Sequence, residues 1–558
     1  MKTYQGIIVD AISRRQFKGE IAVENGKIIR IEEKEHDNEQ YILPGLVDSH
    51  VHIESSMTVP SVFARMVVAR GTVAVVSDPH EIANVMGEVG INYMLEDSKK
   101  APLKVFFGVP SCVPATPFES SGAVLNAEAV DGLLARKDLY YLSEMMNFPG
   151  VILGFPEVIA KLESAKKYGK VIDGHAPGLR GADLQKYVSA GISTDHECII
   201  YEEAVEKIKL GMKIQIREGS SARNFETLYR LIDEYPESVM LCTDDSHPDT
   251  LIHEGHIDKL IRRGQEKGLE IYNLIRAAVI NPVAHYGLNV GLLREGDAAD
   301  FIIVDNLKSF NVLSTFIDGN CVYEGGKVLF PMEKIPAKNV FNRSKISIED
   351  VKLALPLADK KCEQNKEINE QIRKIRVIVA QDGELVTGQE LAVPKVENGN
   401  LVPDPERDIL KLVVLSRYKD DPVQIGFIKN IGLKKGAIAS SIAHDSHNII
   451  AVGATERDIV EAVNRLVENE GGIVVGTAED LLDLPLEVAG LMSIRSGEEV
   501  ASRYELLNAE ARRLGTSLKS PFMTLSFMSL LVIPELKLGD KGLFDVTKFE
   551  FVELFVNK

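Results

Sequence analysis

The sequence predicts an α/β protein: a TIM-like (β/α)8 barrel, a small β-sandwich formed by the segments that flank it, and a C-terminal α/β domain. Three observations predict this. Between about residues 44 and 290, eight short, nearly continuous apolar runs alternate with stretches whose apolar residues recur every three or four positions. That is the rhythm of buried parallel strands separated by amphipathic helices, and eight units fill the roughly 250 residues such a barrel takes. The segments on either side share a second style, short strands broken by glycine, and the total of 558 residues exceeds what one hydrophobic core serves. A doubly wound open sheet is the alternative packing of the same units.

Taken in order, residues 1–43 hold "QGIIVDA" and "KGEIAVENGKIIRIEE", strands with "ENG" as a turn, and form the first part of the sandwich. The barrel, 44–290, draws its strands from "YILPGLVDSHVH", "TVAVVSDPH", "KVFFGVPS", "LYYLSEMM", "KVIDGHAP", "GISTDHE", "KIQIREGS" and "SVMLCTDDS". Its helices include "EIANVMGEVGINYMLEDSKK", "GADLQKYVSAG", "YEEAVEKIKLGM" and "NFETLYRLIDEY". Residues 291–345 return to glycine-punctuated strands and complete the sandwich. The polar connector "LADKKCEQNKEINEQIRK" interrupts 346–558, whose strands ("LKLVVLSRY", "NIIAVGA", "GGIVVG") and helices ("ERDIVEAVNRLVENE", "EVASRYELLNAEARRLG") indicate an α/β domain.

The balance of 64 Lys+Arg against 82 Asp+Glu, a formal charge of −18, opposes attraction to nucleic acid or an anionic membrane and favours a small-molecule partner. No apolar run reaches membrane-spanning length and the N-terminus lacks a signal-peptide core, so a cytoplasmic location is expected. The five cysteines form no C-x-x-C pair, which argues against a disulfide framework and a thiolate cluster. A metal site in this chain must use histidine and carboxylate.

In a (β/α)8 barrel the reactive residues lie at the carboxyl ends of the strands. Strand one ends in His50 and His52, two apart and therefore on one side of the strand. Strand four carries Glu144, strand five His175, strand six His196 and strand eight Asp244. Four histidines and two carboxylates supply what a pair of divalent cations needs: neutral nitrogens, a bridging carboxylate and a second carboxylate for proton transfer. Taken singly, the histidines also read as polar strand ends and Glu144 as a structural carboxylate. Asp78 and His80 in "SDPHE" read either as substrate contacts with Glu81 or as a cap on the following helix. His247, His253 and His256 lie in a helical stretch and are expected at the surface. His444 and Asp445 could close over the barrel mouth or simply end a strand.

The order His-X-His, carboxylate, His, His, Asp resembles the amidohydrolase superfamily. The strings "PGLVDSHVHIESS", "SEMMNFPGVI", "DGHAPGLRG", "TDHE", "CTDDSHPDTLIHEGHID", "SIAHDSHNIIAVGA" and "LPLEVAGLMS" resemble the bacterial adenine deaminase family along the whole chain. That resemblance implies hydrolysis of adenine to hypoxanthine and ammonia by a metal-activated hydroxide, at a centre of two divalent ions, Mn2+ or Fe2+ with Zn2+ as a third candidate, in a homo-oligomer, a dimer. It implies that His50 and His52 bind the more buried ion, that Glu144 bridges, that His175 and His196 bind the second ion, and that Asp244 is the metal-associated proton carrier; Asp245 stays open as the alternative carrier. Asp78, His80, Glu81 and His444 are candidates for substrate binding. A cyclic amide or ureide hydrolase on the same barrel is the second enzyme reading. The absence of a strand-four lysine, which many ring-opening relatives modify into a bridge, counts against it. A non-catalytic purine-binding relative would have lost a ligand, and none is missing.

Overall fold

A computed structural model describes residues 1–220, 222–356 and 373–556. Most of the polar connector expected from residue 357 onward, including Cys362, lies outside the described residues.

The two ends flanking the barrel come together as one sheet. β1 (Lys2–Asp10), β2 (Arg15–Glu24), β3 (Lys27–Glu33) and β4 (Tyr41–Pro44) join β13 (Phe301–Val304), β14 (Val312–Ile317), β15 (Asn320–Glu324) and β16 (Lys327–Val328). The strand order is β16-β15-β14-β13-β4-β1-β2-β3. The sandwich is thus a single hydrogen-bonded sheet, which curls until Lys27 bridges Ala298. Its core is Ile8, Ile21, Ile28, Ile42, Phe301 and Phe316, with the two phenylalanine rings stacked at 4.3 Å.

The run "YILPGLVDSHVH", read above as one strand, is two. β4 pairs with β1 and β13 in the flanking sheet, whereas β5 (Leu46–Val51) begins the barrel. Gly45 makes the break: a Cβ there would lie 2.3 Å from a Val73 methyl, so only glycine lets the chain change sheets against the strand that carries Val73.

The remaining barrel strands are β6 (Thr72–Ser77), β7 (Lys104–Phe107), β8 (Leu142–Met145), β9 (Ile172–Gly174), β10 (Thr194–Asp195), β11 (Lys213–Arg217) and β12 (Val239–Cys242). All the neighbouring pairs are parallel. Val109 bridges Leu142 to link β7 with β8, the Ser193 amide donates to Ile172 O between β9 and β10, and Val51 bridges Asp244 to close the ring. The closing seam is densely bonded. Asp48 on β5 accepts from the Thr243 amide (3.1 Å) and the Thr243 hydroxyl (2.5 Å), Ser49 Oγ donates to Leu241 O (2.9 Å), and the Asp244 amide donates to His50 O (2.9 Å).

The C-terminal domain is an eight-stranded sheet in which one adjacent pair, Ile375–Val379 with Gln424–Lys429, is parallel. Helices Glu456–Glu468 and Gly497–Arg513 pack on it. It sits over the carboxyl ends of the barrel strands: Asn448 Nδ2 donates to Ser120 O (2.9 Å), the Ser493 amide to Met57 O (2.8 Å), and Tyr504 OH pairs with His247 Nδ1 (3.1 Å). No helix among the described residues is long and apolar enough to cross a membrane.

One buried ion pair braces two of the strand-end loops. Lys207 Nζ donates to Ala176 O (2.8 Å) and Glu203 Oε1 (2.7 Å) and lies 3.2 Å from Asp195 Oδ2. Asp195 in turn accepts from the Ala176 amide and the Glu197 amide, the residues that follow His175 and His196. Replacing Lys207 with Met leaves two buried carboxylates uncompensated and is expected to cost about 3–5 kcal/mol. Urea unfolding of Lys207→Met measures this; a parent-like midpoint would mean that the pair braces nothing.

Candidate active site

The seam between β12 and β5 sets the site. The Val51–Asp244 bridge, with the His52 amide donating to Asp244 O (3.2 Å), places the Asp244 side chain between the two histidines of strand one. Asp244 has φ +56, a left-handed backbone that an L side chain adopts at a cost and that the seam's hydrogen bonds hold. Its Oδ1 lies 3.4 Å from His50 Nε2 and 3.3 Å from His52 Nε2.

Glu144, from β8, stands across the mouth. Its Oε2 is 3.0 Å from His196 Nε2, 3.1 Å from His175 Nδ1 and 3.8 Å from His50 Nε2, while Oε1 is 3.6 Å from His52 Nε2 and 3.4 Å from His80 Nδ1. The six residues expected from strand ends one, four, five, six and eight therefore converge, and the rings of His50 and His196 stack at 4.1 Å. Three donor groups have metal-like spacing here: His50, His196 and Asp244; Glu144, His175 and His196; and His52, Asp78, His80 and Glu144.

These residues fit a divalent cation site on two grounds. Several buried donor atoms lack any hydrogen-bond partner: both ring nitrogens of His50 and Nδ1 of His196. Such atoms carry a desolvation cost unless an ion or water takes them. The charges point the same way. Burial pushes the Glu144 carboxyl up, yet His175 and His196 outweigh it and hold it well below the usual carboxylate range. Burial likewise raises Asp244, and the Arg217 guanidinium with His50 and His52 holds it well below. Three of the histidines move the opposite way: against burial, Asp244 and Glu144 raise His50 and His52, and Glu197 and Glu144 bring His175 up to about 9. His196 differs, since burial and the neighbouring His50 bring it down.

Some of what the sequence suggested lies elsewhere. The Asp78 carboxylate does accept from the His80 amide (3.1 Å) at the start of the helix His80–Met86, so the local turn exists, but its other oxygen faces His80 Nδ1 at 3.2 Å. Glu81 lies behind His80, with Oε1 2.7 Å from His444 Nδ1 and Oε2 bonded to His447 Nε2. His444 and Asp445 therefore do reach the barrel mouth. Asp245 points away from the strand-one histidines and accepts from Ser55 Oγ. The expectation that His247, His253 and His256 are surface groups fails for two of them. His256 is fully buried, 2.9 Å from Asp48 Oδ2 and 2.8 Å from Thr72 Oγ1, and His247 is buried against Tyr504; only His253 is exposed.

Two residues were missed. Arg217 ends β11 and bonds Asp244 Oδ2 (2.7 Å) and Glu197, which itself lies 3.4 Å from His196 Nε2. The signal was available: "KIQIREGS" is the seventh strand, and its terminal arginine occupies the position that carries function on its neighbours.

The cavity at the barrel mouth measures about 40 Å³, room for about three waters. Its floor is the histidine–carboxylate set; its other walls include Leu385, His444, Asp445, Phe527, Leu530 and Val532 from the C-terminal domain.

Known proteins share this organisation. Residues 41–322 match the amidohydrolase family, and residues 384–550 match the adenine deaminase C-terminal domain. The chain is 84% identical to the adenine deaminase of Methanosarcina acetivorans, over the whole of both chains. It is 48% identical to that of Parabacteroides distasonis, covering 99% of this chain and 98% of the relative. A β-aspartyl dipeptidase from Fervidobacterium islandicum superposes on 58% of this chain and 99% of its own, with 18% identity and a TM-score of 0.44. The expected bacterial affiliation is corrected by the 84% relatives, which are from the archaeal genus Methanosarcina. The chain belongs to the adenine deaminase family of the amidohydrolase superfamily.

Proposed function

We propose that this protein hydrolyses adenine to hypoxanthine and ammonia, and that the convergence of Glu144 and Asp244 on four strand-end histidines is the machinery. The single observation that carries the reading is that His50, His52, His175, His196, Glu144 and Asp244 meet at the barrel mouth, in groups with the spacing of metal ligands. His50, His52, His175, His196, Glu144 and Asp244 would hold two divalent ions, with Glu144 between them and Mn2+ or Fe2+ as the native metal. Bound there, the ions supply Lewis acidity that brings a water molecule's pKa down toward neutrality.

The chain's own residues do the rest. Arg217 fixes Asp244 by its Oδ2, so Oδ1, facing the histidine floor, is the atom that accepts the attacking water's proton and returns it to the ring or the departing amine. Asp245, turned toward Ser55, does not share that position. Glu81 stays ionised, because His444, His447 and His80 outweigh its burial, and offers an acceptor for a purine N–H. His444, raised to about 9 by Glu81 against the effect of burial, offers a donor to a ring nitrogen. Assembly as a homodimer follows from the family resemblance, and light scattering tests it.

Metal-replete protein incubated with adenine is expected to yield hypoxanthine and ammonia in equal amounts; no turnover with either Mn2+ or Fe2+ loaded would sink the proposal. Asp244→Asn should lower kcat by about 10³-fold or more while metal analysis stays near the parent value. Full activity in that variant would move the proton carrier elsewhere.

Metal uptake should also depend on pH with a definite sign. His175 titrates near 9 in the metal-free protein and must be neutral to bind, so metal binding displaces protons and apparent affinity rises as pH increases toward 9. The same group stabilises the metal-free fold fully below its unfolded value and loses that contribution as pH rises through 9. Calorimetric titration with Mn2+ in buffers of different ionisation enthalpy counts the protons, and a buffer-independent enthalpy would contradict this account.

A further inference from the structure

The floor of the cavity is wholly polar, made of histidines, carboxylates and Arg217, and the barrel adds only Met146 and Ala222 as apolar lining. A flat heteroaromatic base needs more: polar contacts round its edge and apolar contacts on its faces. The apolar surface opposite the floor comes from elsewhere in the chain. Leu385, Phe527, Leu530 and Val532, all in the C-terminal domain, face the histidine–carboxylate set across the cavity. Phe527 lies in a short helical turn, Phe527–Ser529, with its ring 5.4 Å from that of His444.

This wall is built rather than incidental. The segments bearing Leu385 and Phe527 are far apart in sequence, and a single buried ammonium joins them: Lys537 Nζ donates to Leu385 O (2.6 Å) and Phe527 O (2.9 Å). Lys537 is fully buried, and desolvation brings its amine down to about 7. A lysine placed there on backbone carbonyls alone is costly, and what it fixes is the relative position of two wall segments. The C-terminal domain also fixes the polar edge, because His444 and His447 each take one oxygen of Glu81 on the barrel.

We propose that the C-terminal domain is the specificity half of the substrate pocket: Leu385, Phe527, Leu530 and Val532 form an apolar wall that packs on the face of a planar aminopurine while the barrel floor carries out the chemistry. The proposal rests on the adenine reading above and gives the C-terminal domain its function.

Phe527→Leu and Leu530→Ala separate binding from chemistry. Each should raise KM for adenine about tenfold, the scale of a lost base-stacking contact, and raise the inhibition constant for hypoxanthine in parallel. In both variants kcat should fall by much less than KM rises, and metal content should match the parent. If truncation at Phe527 prevents folding, Val532→Ala and Leu385→Ala, at half-buried positions, carry the same expectation on a smaller scale. A parent enzyme that turns over adenine while every wall variant keeps the parental KM and hypoxanthine inhibition would overturn this proposal and leave the adenine reading standing. A parent that does not turn over adenine would overturn both. A fall in kcat alone, with KM unchanged, would place these residues in support of the metal floor and also overturn the wall.

Discussion

The structure depends on the seam where strand eight meets strand one. A barrel of parallel strands has no free edge only if its last strand bonds to its first, and here that closure passes through the residues that later do chemistry. Asp48 ties β5 to Thr243 by two hydrogen bonds, and the backbone of Asp244 is bonded to the backbones of both His50 and His52. The distance between the proton-accepting carboxylate and two candidate metal ligands is therefore fixed by backbone hydrogen bonds rather than by side-chain rotamers. The left-handed φ at Asp244 is the local cost, and it turns the carboxylate inward while Asp245 turns to Ser55. The buried His256 belongs to the same device, since its Nε2 holds the second oxygen of Asp48.

Around that seam the site is an exercise in charge placement. Glu144, Glu197, Asp244 and Asp78 are all buried within one small volume, which a low-dielectric interior does not tolerate without compensation. Compensation comes in two forms. Arg217 is permanent: it bonds Glu197 and Asp244 and removes both from competition for protons. His50, His52 and His175 are exchangeable: the carboxylates around them favour their protonated forms, and a cation bound in the proposed way would displace those protons. A permanent cation on one side and replaceable protons on the other make a site whose neutral state calls for divalent ions, and the orientation of Asp244 survives their exchange because Arg217 does not leave.

Much of this was legible from the residues. The period of the apolar runs identified the barrel, because buried parallel strands are apolar throughout while their helices alternate by three and four, and each strand-end ligand could be read by asking where its run stops. His50, His52, Glu144, His175, His196 and Asp244 were found this way. What escaped was set by distances that sequence does not contain. His256 reads as a polar residue in a helical stretch, and only the fold shows it beside Asp48, its partner in the seam 208 residues away. Gly45 reads as a glycine within a strand, and only its contact with Val73 shows that the chain changes sheets there. Phe527 and Leu530 belong to the buried core of the C-terminal domain, and nothing in their local pattern marks them as lining the cavity at the barrel mouth.

The barrel carries the histidine–carboxylate set proposed for water activation and proton transfer, which leaves selection of what is attacked as the proposed role of the C-terminal domain. Its contribution divides into two, an apolar surface over the floor and a pair of histidines clasping Glu81, and both arise from segments that Lys537 and the sheet hold rigid. In the proposed pocket the barrel floor and the domain above it meet at Glu81, whose two oxygens are held by His444 and His447 of that domain. The apolar wall and the presentation of Glu81 are thus set by the same domain, so the proposed contacts to the face and to the edge of a base share one support.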